Sequence, residues 1–199
     1  MGWIELDAGH NRTLETANFG RSGGTLHPDR VTNYHDIVYM ESGSWEVWEE
    51  TTTFTLKPGD VLFLFQGRHH FGKQLCTRGA RWMYLHFPRR PQDRFMSHAA
   101  LRSSAEKPES MRVGLPSHIT SAGPQVEQLV REIVHGFWSS LQHRRQLARV
   151  LLSQLLIELS RLSQPAASAQ DVTLERYGGG WKRSPIAPSP STIWRLRPA

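Results

Sequence analysis

Residues 35–87 read HDIVYMESGSWEVWEETTTFTLKPGDVLFLFQGRHHFGKQLCTRGARWMYLHF, and this stretch decides the fold. It divides into apolar runs of four to seven residues separated by tight-turn sequences. DIVYME meets Ser42-Gly43-Ser44 and continues as WEVWEE; TFTL meets Lys57-Pro58-Gly59-Asp60 and continues as VLFLF. A Gly67-Arg68-His69-His70 corner and a loop carrying Cys76 lead to RWMYLHF. Val, Phe, Trp, Tyr and Thr fit a pleated, half-buried surface, whereas Gly, Pro, Ser and Asp favour the turns between strands. Short strands at this spacing predict an antiparallel sandwich or small barrel.

Outside this stretch the chain is less regular. Residues 1–34 are polar with weak periodicity, and predict an arm with one or two irregular edge strands. Residues 88–120 are basic and rich in loop formers, and predict a connection. From Val126 the period changes: apolar residues at 126, 129, 130, 133, 134, 137 and 141 mark one face of a helix, with Pro124 at its first turn. His143-Arg144-Arg145 makes a polar break before a second helix, QLARVLLSQLLIELSRLS. There Leu147, Leu151, Leu155, Leu159 and Leu162 form a stripe, which Val150, Leu152, Leu156 and Ile157 widen beyond one face. A helix apolar over so much of its circumference needs two surfaces to pack against. The expectation is a homodimer through this stripe; a helix wholly buried in the monomer is the alternative.

The organisation expected is therefore a β unit over 1–120, a helical segment over 121–163 and a tail over 164–199. The tail is rich in Pro, Gly and Ser without periodicity, which predicts disorder. Its composition is out of keeping with the helices before it, as a change of reading frame would produce.

The 199 residues carry a formal net charge of +6, unevenly placed. Residues 1–87 hold 8 Lys/Arg against 10 Asp/Glu, whereas 88–163 hold 11 against 6 and 164–199 hold 5 against 2. A nucleic-acid surface on the β unit would need the opposite distribution. No apolar run approaches a membrane span, the N-terminus lacks the pattern of a signal peptide, and one cysteine allows no internal disulfide. These features predict a cytoplasmic protein with no membrane partner.

From Gly59 the spacing through Phe65-Gln66-Gly67 to His70 resembles the second cupin motif. Counting back from Gly43, the positions of the first cupin motif fall on Asp36 for the acidic metal ligand, but on Val31 and Asp29 for the two histidines. The resemblance thus implies a cupin without its metal centre and with no cofactor. A competing set, His35, His70, Cys76 and His86, would form a metal site if their strands met; Cys76 as a nucleophile has no supporting motif.

YMESGSW, KPGDVLFLF, the HHFG corner and WMYLHF together resemble the N-terminal sensor domains of AraC-type transcription regulators, over about residues 25–162. The resemblance implies a mainly β fold with C-terminal helices (α+β), a cupin or jelly-roll-like antiparallel barrel followed by two dimerisation helices. It implies a pocket for a small-molecule effector, with Phe71, Trp82 and Tyr84 at family pocket positions and Arg30 matching a family arginine across a small gap. His35, His70 and His86 complete the expected ligand-binding set. Phe71 lacks the hydroxyl of the family residue, so sugar specificity does not carry over. The family's helix-turn-helix units have no counterpart after Ser163, so the chain as given is not expected to bind DNA in the family's manner. Against this non-enzymatic reading stand a metal-dependent cupin enzyme, an isomerase or dioxygenase, and an interaction protein forming inactive heterodimers with full-length relatives.

Overall fold

The computed structural model describes residues 2–8, 12–104 and 112–164. Its elements, in chain order, are β1 (Trp3–Asp7), β2 (Thr16–Arg21), β3 (Arg30–Val31), β4 (His35–Ser42), β5 (Trp45–Glu49), β6 (Thr52–Leu56), β7 (Val61–Leu64), β8 (His69–Phe71), β9 (Arg81–Phe87), β10 (Arg94–Met96), α1 (His98–Ser104), β11 (Arg112–Pro116), β12 (His118–Ile119), α2 (Pro124–Phe137) and α3 (Gln142–Ser163). The tail beyond Gln164, for which disorder and a frame change were expected, lies outside the described residues.

All strand pairs are antiparallel, in three sheets: β12-β7-β4-β9-β2, β3-β8-β5-β6 and β10-β1-β11. Of the sandwich or small barrel expected, the structure forms the cupin-like sandwich: among the described residues no hydrogen-bonded ladder joins the five-stranded sheet to the four-stranded one. The predicted turns form as read. Gly43 and Gly59 take φ of 83° and 89°, where a side chain is strained, and a Cβ on Gly43 would fall 2.5 Å from that of Ala80. Asp60 closes its turn by accepting from the Lys57 amide at 2.9 Å, and also holds the Ser121 amide at 3.1 Å at the approach to the helices.

The five-stranded sheet is covered on both faces. On one side Val38, Met40, Leu62 and Leu64 meet Trp45, Val47, Phe54 and Leu56 of the four-stranded sheet. On the other, Ile37, Tyr39, Phe63, Met83, Leu85 and Phe87 form one core with the helices and the three-stranded sheet. Strand β9 shows the division residue by residue. Met83, Leu85 and Phe87 are buried towards the helices, whereas Trp82, Tyr84 and His86 are half-buried on the opposite face. Each large aliphatic side chain so buried stabilises the fold by about 1.5–3 kcal/mol.

The termini of this unit are more ordered than their sequences suggest. Strand β1 is the centre of its sheet rather than an edge, and the connection over 88–120 contains β10, α1, β11 and β12. Arg12 anchors the N-terminal segment. It is 1% exposed, gives two hydrogen bonds to Asp93 at 2.9 and 2.5 Å, and gives two more to the Asp7 carbonyl at 3.2 and 3.0 Å.

Helix α2 buries Val126, Leu129, Val130, Ile133 and Val134, the predicted face, with Gly123 at its N-cap and Pro124 at its first position. Its exit is tied down by the Trp138 indole, whose N–H donates to the Ala17 carbonyl of β2 at 2.7 Å. Helix α3 starts at Gln142, earlier than the expected polar break, and buries Ala148, Leu152, Leu155, Leu156 and Leu159. The predicted leucine stripe therefore divides. A four-residue spacing advances about 40° per step around an α-helix, so the row winds from one face to another. Leu155 and Leu159 are 0% exposed within the chain, while Leu147 and Leu162 are 52% and 38% exposed.

Candidate functional site

A cavity of about 270 Å³ lies between the two larger sheets. Its walls come from β4, β5 and β9, and the segment over 22–30 closes one side. Trp82, Tyr84 and His86 line it because they share one face of β9. Arg30 reaches it from β3, and Asp36 and Val38 reach it from β4. Trp45 packs at a tilt against Trp82 with ring centres 4.5 Å apart and lies 4.9 Å from the ring of His27.

Alternation along the strands places two of the expected site residues away from the cavity. His35 precedes Asp36 on β4 and therefore points to the opposite face. It is 0% exposed among Phe63, Phe65 and Phe87, its Nδ1 accepts from the Gln66 amide at 3.1 Å, and its Nε2–H donates to Asp93 at 3.3 Å. Phe71 follows His70 on β8, and two neighbours on a strand cannot both face inwards. His70 points in; Phe71 points out and stacks on Trp48 and His69. His70 itself touches the cavity through His27, whose Nε2 lies 2.6 Å from His70 Nδ1.

His27, Asp36 and Trp45 are among the pocket residues missing from the sequence-based set. Asp36 was legible only as a metal-ligand position, and Trp45 only as a residue on a predicted strand. His27 lies in a segment without periodicity, and nothing in the sequence marks it.

The electrostatics follow from burial. Desolvation, with Coulombic pressure from His70 and then Arg30, lowers the pKa of His27 from 6.5 to about 3. Desolvation and Arg30 lower that of His70 to about 4. Both rings are neutral near pH 7, and one donates to the other. His86 Nε2 sits 3.3 Å from Asp36 Oδ2, between the rings of Tyr34 and Tyr84 at 3.9 and 4.8 Å. Burial pushes the Cys76 thiol pKa up, which makes it a poorer nucleophile.

The histidine pair predicts a pH dependence. Both folded pKa values lie below the unfolded 6.5, so the unfolded chain takes up protons that the folded chain refuses. Their contribution is present above about pH 6.5 and is lost as pH falls towards 4. Urea midpoints should fall between pH 7 and pH 5, and less steeply in His27→Gln; equal slopes would show that the pair does not govern this window.

The competing metal set is not assembled. His35 is on the other side of the sheet from His86 and Cys76, and Asp29 bonds to His69 at 2.6 Å outside the cavity. Among the described residues, no three His, Cys, Asp or Glu side chains are placed to hold one ion.

This combination of a two-sheet sandwich, an aromatic cavity against β9 and a helix pair behind it coincides with one family model, the AraC-like ligand-binding domain, which matches residues 16–160. The chain belongs to that family. A regulator from Bacillus subtilis (strain 168), the uncharacterized HTH-type transcriptional regulator YisR, is 28% identical to the AraC-like domain over 64 residues, covering 32% of this chain and 22% of the relative. The matched part thus spans about a fifth of that relative's length. Among solved structures, KdgF from Halomonas overlaps 44% of this chain and 82% of its own, at 22% identity and a TM-score of 0.35. The cupin domain of Schizosaccharomyces pombe Cnp3 overlaps 38% of this chain and 55% of its own, at 20% identity and a TM-score of 0.33. No helix among the described residues is long and apolar enough to cross a membrane.

Proposed function

We propose that this AraC-like domain senses a small organic effector in the cavity against β9 and forms a homodimer through α3, as the regulatory module of a transcription factor. The observation that carries the sensing role is the cavity itself, enclosed by the indoles of Trp45 and Trp82 with a few convergent polar groups. This is the usual composition of a small-molecule site. Its volume, about 270 Å³, falls just below the range of about 300–1,000 Å³ for such pockets, which favours a compact ligand. The proposal assigns no DNA contact to residues 16–160, and no catalytic step.

The dimerisation role rests on the free face of α3. Leu147, Val150 and Ile157 are 52%, 48% and 45% exposed. At about 100° per residue they fall on the side opposite Leu152, Leu155 and Leu159. A helix with one apolar side buried and another exposed has a seat for a second chain.

A thermal-shift screen against small organic molecules tests the sensing role. A ligand present at about 100 times its Kd should stabilise the domain by about 2.7 kcal/mol. Trp82→Ala should weaken any such ligand by about tenfold or more, through loss of buried aromatic contact. A stabilising ligand that binds Trp82→Ala undiminished would place the effector elsewhere.

A further inference from the structure

The cavity is bordered by two opposite charges that do not meet. Arg30 on β3 and Asp36 on β4 both line it, and both act electrostatically on Tyr34 and His70. No ion pair joins them among the described residues; Asp36 pairs instead with His86. Neither is fully satisfied. Asp36, 3% exposed, gives Oδ2 to His86, while its Oδ1 is buried without a hydrogen-bond partner. The Nε of Arg30 is likewise buried without one, and so is the indole Nε1 of Trp45 on the same cavity.

Buried polar atoms are nearly always hydrogen-bonded, and leaving one unsatisfied costs about 1–3 kcal/mol, more for a charged group. Orphans of both signs on one small cavity therefore specify its complement. The complement offers a donor to Asp36 and acceptor oxygens to Arg30 and Trp45. An anionic ligand would set a like charge against Asp36, and a cationic one would do so against Arg30. A neutral polyol avoids both repulsions but meets the two charged groups with hydroxyls only, whereas an opposite charge offsets each more completely. His27 and His70, neutral near pH 7, add no third charge to be matched.

We propose that the cavity binds a single zwitterion of the α-amino-acid type, with its carboxylate on Arg30 and the Trp45 indole N–H, its ammonium on Asp36, and its side chain against Trp82. This rests on the sensing role proposed above and names the class of effector.

Isothermal titration of the full chain with the standard α-amino acids, one at a time, tests it, followed by three relatives of the best binder: its decarboxylated amine, its deaminated acid and its carboxamide. At least one amino acid should bind, with each relative about tenfold or more weaker. Arg30→Gln should weaken the amino acid by about tenfold yet hardly change the carboxamide, and Asp36→Asn should do the same with the deaminated acid as the insensitive partner. An intact response to those insensitive partners shows that the variants are folded. If no amino acid binds, or if the best binder keeps its affinity without its carboxylate or its ammonium, the zwitterion is wrong. A parallel series of pentoses and hexoses separates the two levels. Sugars binding where amino acids do not would overturn the zwitterion and leave the sensing role standing.

Discussion

Asp93→Ala should destabilise the domain by about 3–5 kcal/mol, the cost of stranding the partner of a buried ion pair. Asp93 is 0% exposed and receives hydrogen bonds from Arg12, from His35 and from the Arg90 amide. Its removal leaves the Arg12 guanidinium, 1% exposed, without its carboxylate and loosens the N-terminal segment from the body of the fold. Burial alone would raise the Asp93 pKa, but the hydrogen bonds from His35, Arg12 and the Arg90 amide hold it well below the usual carboxylate range. The sign follows from linkage: this stabilisation is present above about pH 4 and is lost as pH falls through the folded pKa. Urea unfolding at pH 7 checks the magnitude, and the deficit of the variant should shrink in strong acid. Arg12→Met combined with Asp93→Leu should recover much of the loss, because apolar groups can replace a buried pair at little cost. A loss below about 1 kcal/mol for Asp93→Ala would show that the network is only a surface-like ion pair.

On α3, two substitutions two residues apart should have opposite consequences. Leu155→Glu places a carboxylate at a 0% exposed position among α2 and the sheet. Loss of the leucine alone costs about 2–5 kcal/mol, and the unpaired charge adds to it, so the chain should not fold. Ile157→Glu lies on the exposed face and should change the stability of the single chain by only about 0.5 kcal/mol. It should nevertheless convert a dimer to a monomer by light scattering, because the charge would be buried at the interface. A dimer that survives both Ile157→Glu and Val150→Glu would exclude this face as the contact.

The strands were legible where a turn sequence and one exposed face coincide. WEVWE and RWMYLHF alternate because one side of each is only partly covered. HDIVYM does not alternate: β4 is central, its first six residues are all buried, and sequence alone could not say whether His35 or Asp36 faced the cavity. The same ambiguity affected Phe71, where similarity of motif outweighed the two-residue period that His70 should have imposed. Strands β10, β11 and β12 are three, five and two residues long and contain charged or loop-forming residues, so they exist by pairing rather than by propensity. In α3 the sequence shows apolar residues around most of the helix, but which side turns inwards is settled by packing against α2 and β11. The bond from Arg12 to Asp93 joins positions 81 residues apart, and no local pattern announces it.

Strand β9 has a consequence for the proposed sensing role. Its even-numbered side chains form a wall of the cavity and its odd-numbered ones a wall of the helical core, with only the thickness of one backbone between them. Interiors this closely packed transmit displacement instead of absorbing it. A message from the cavity would therefore cross to α2 through a single peptide chain, with no hinge, lid or relay of loops in between.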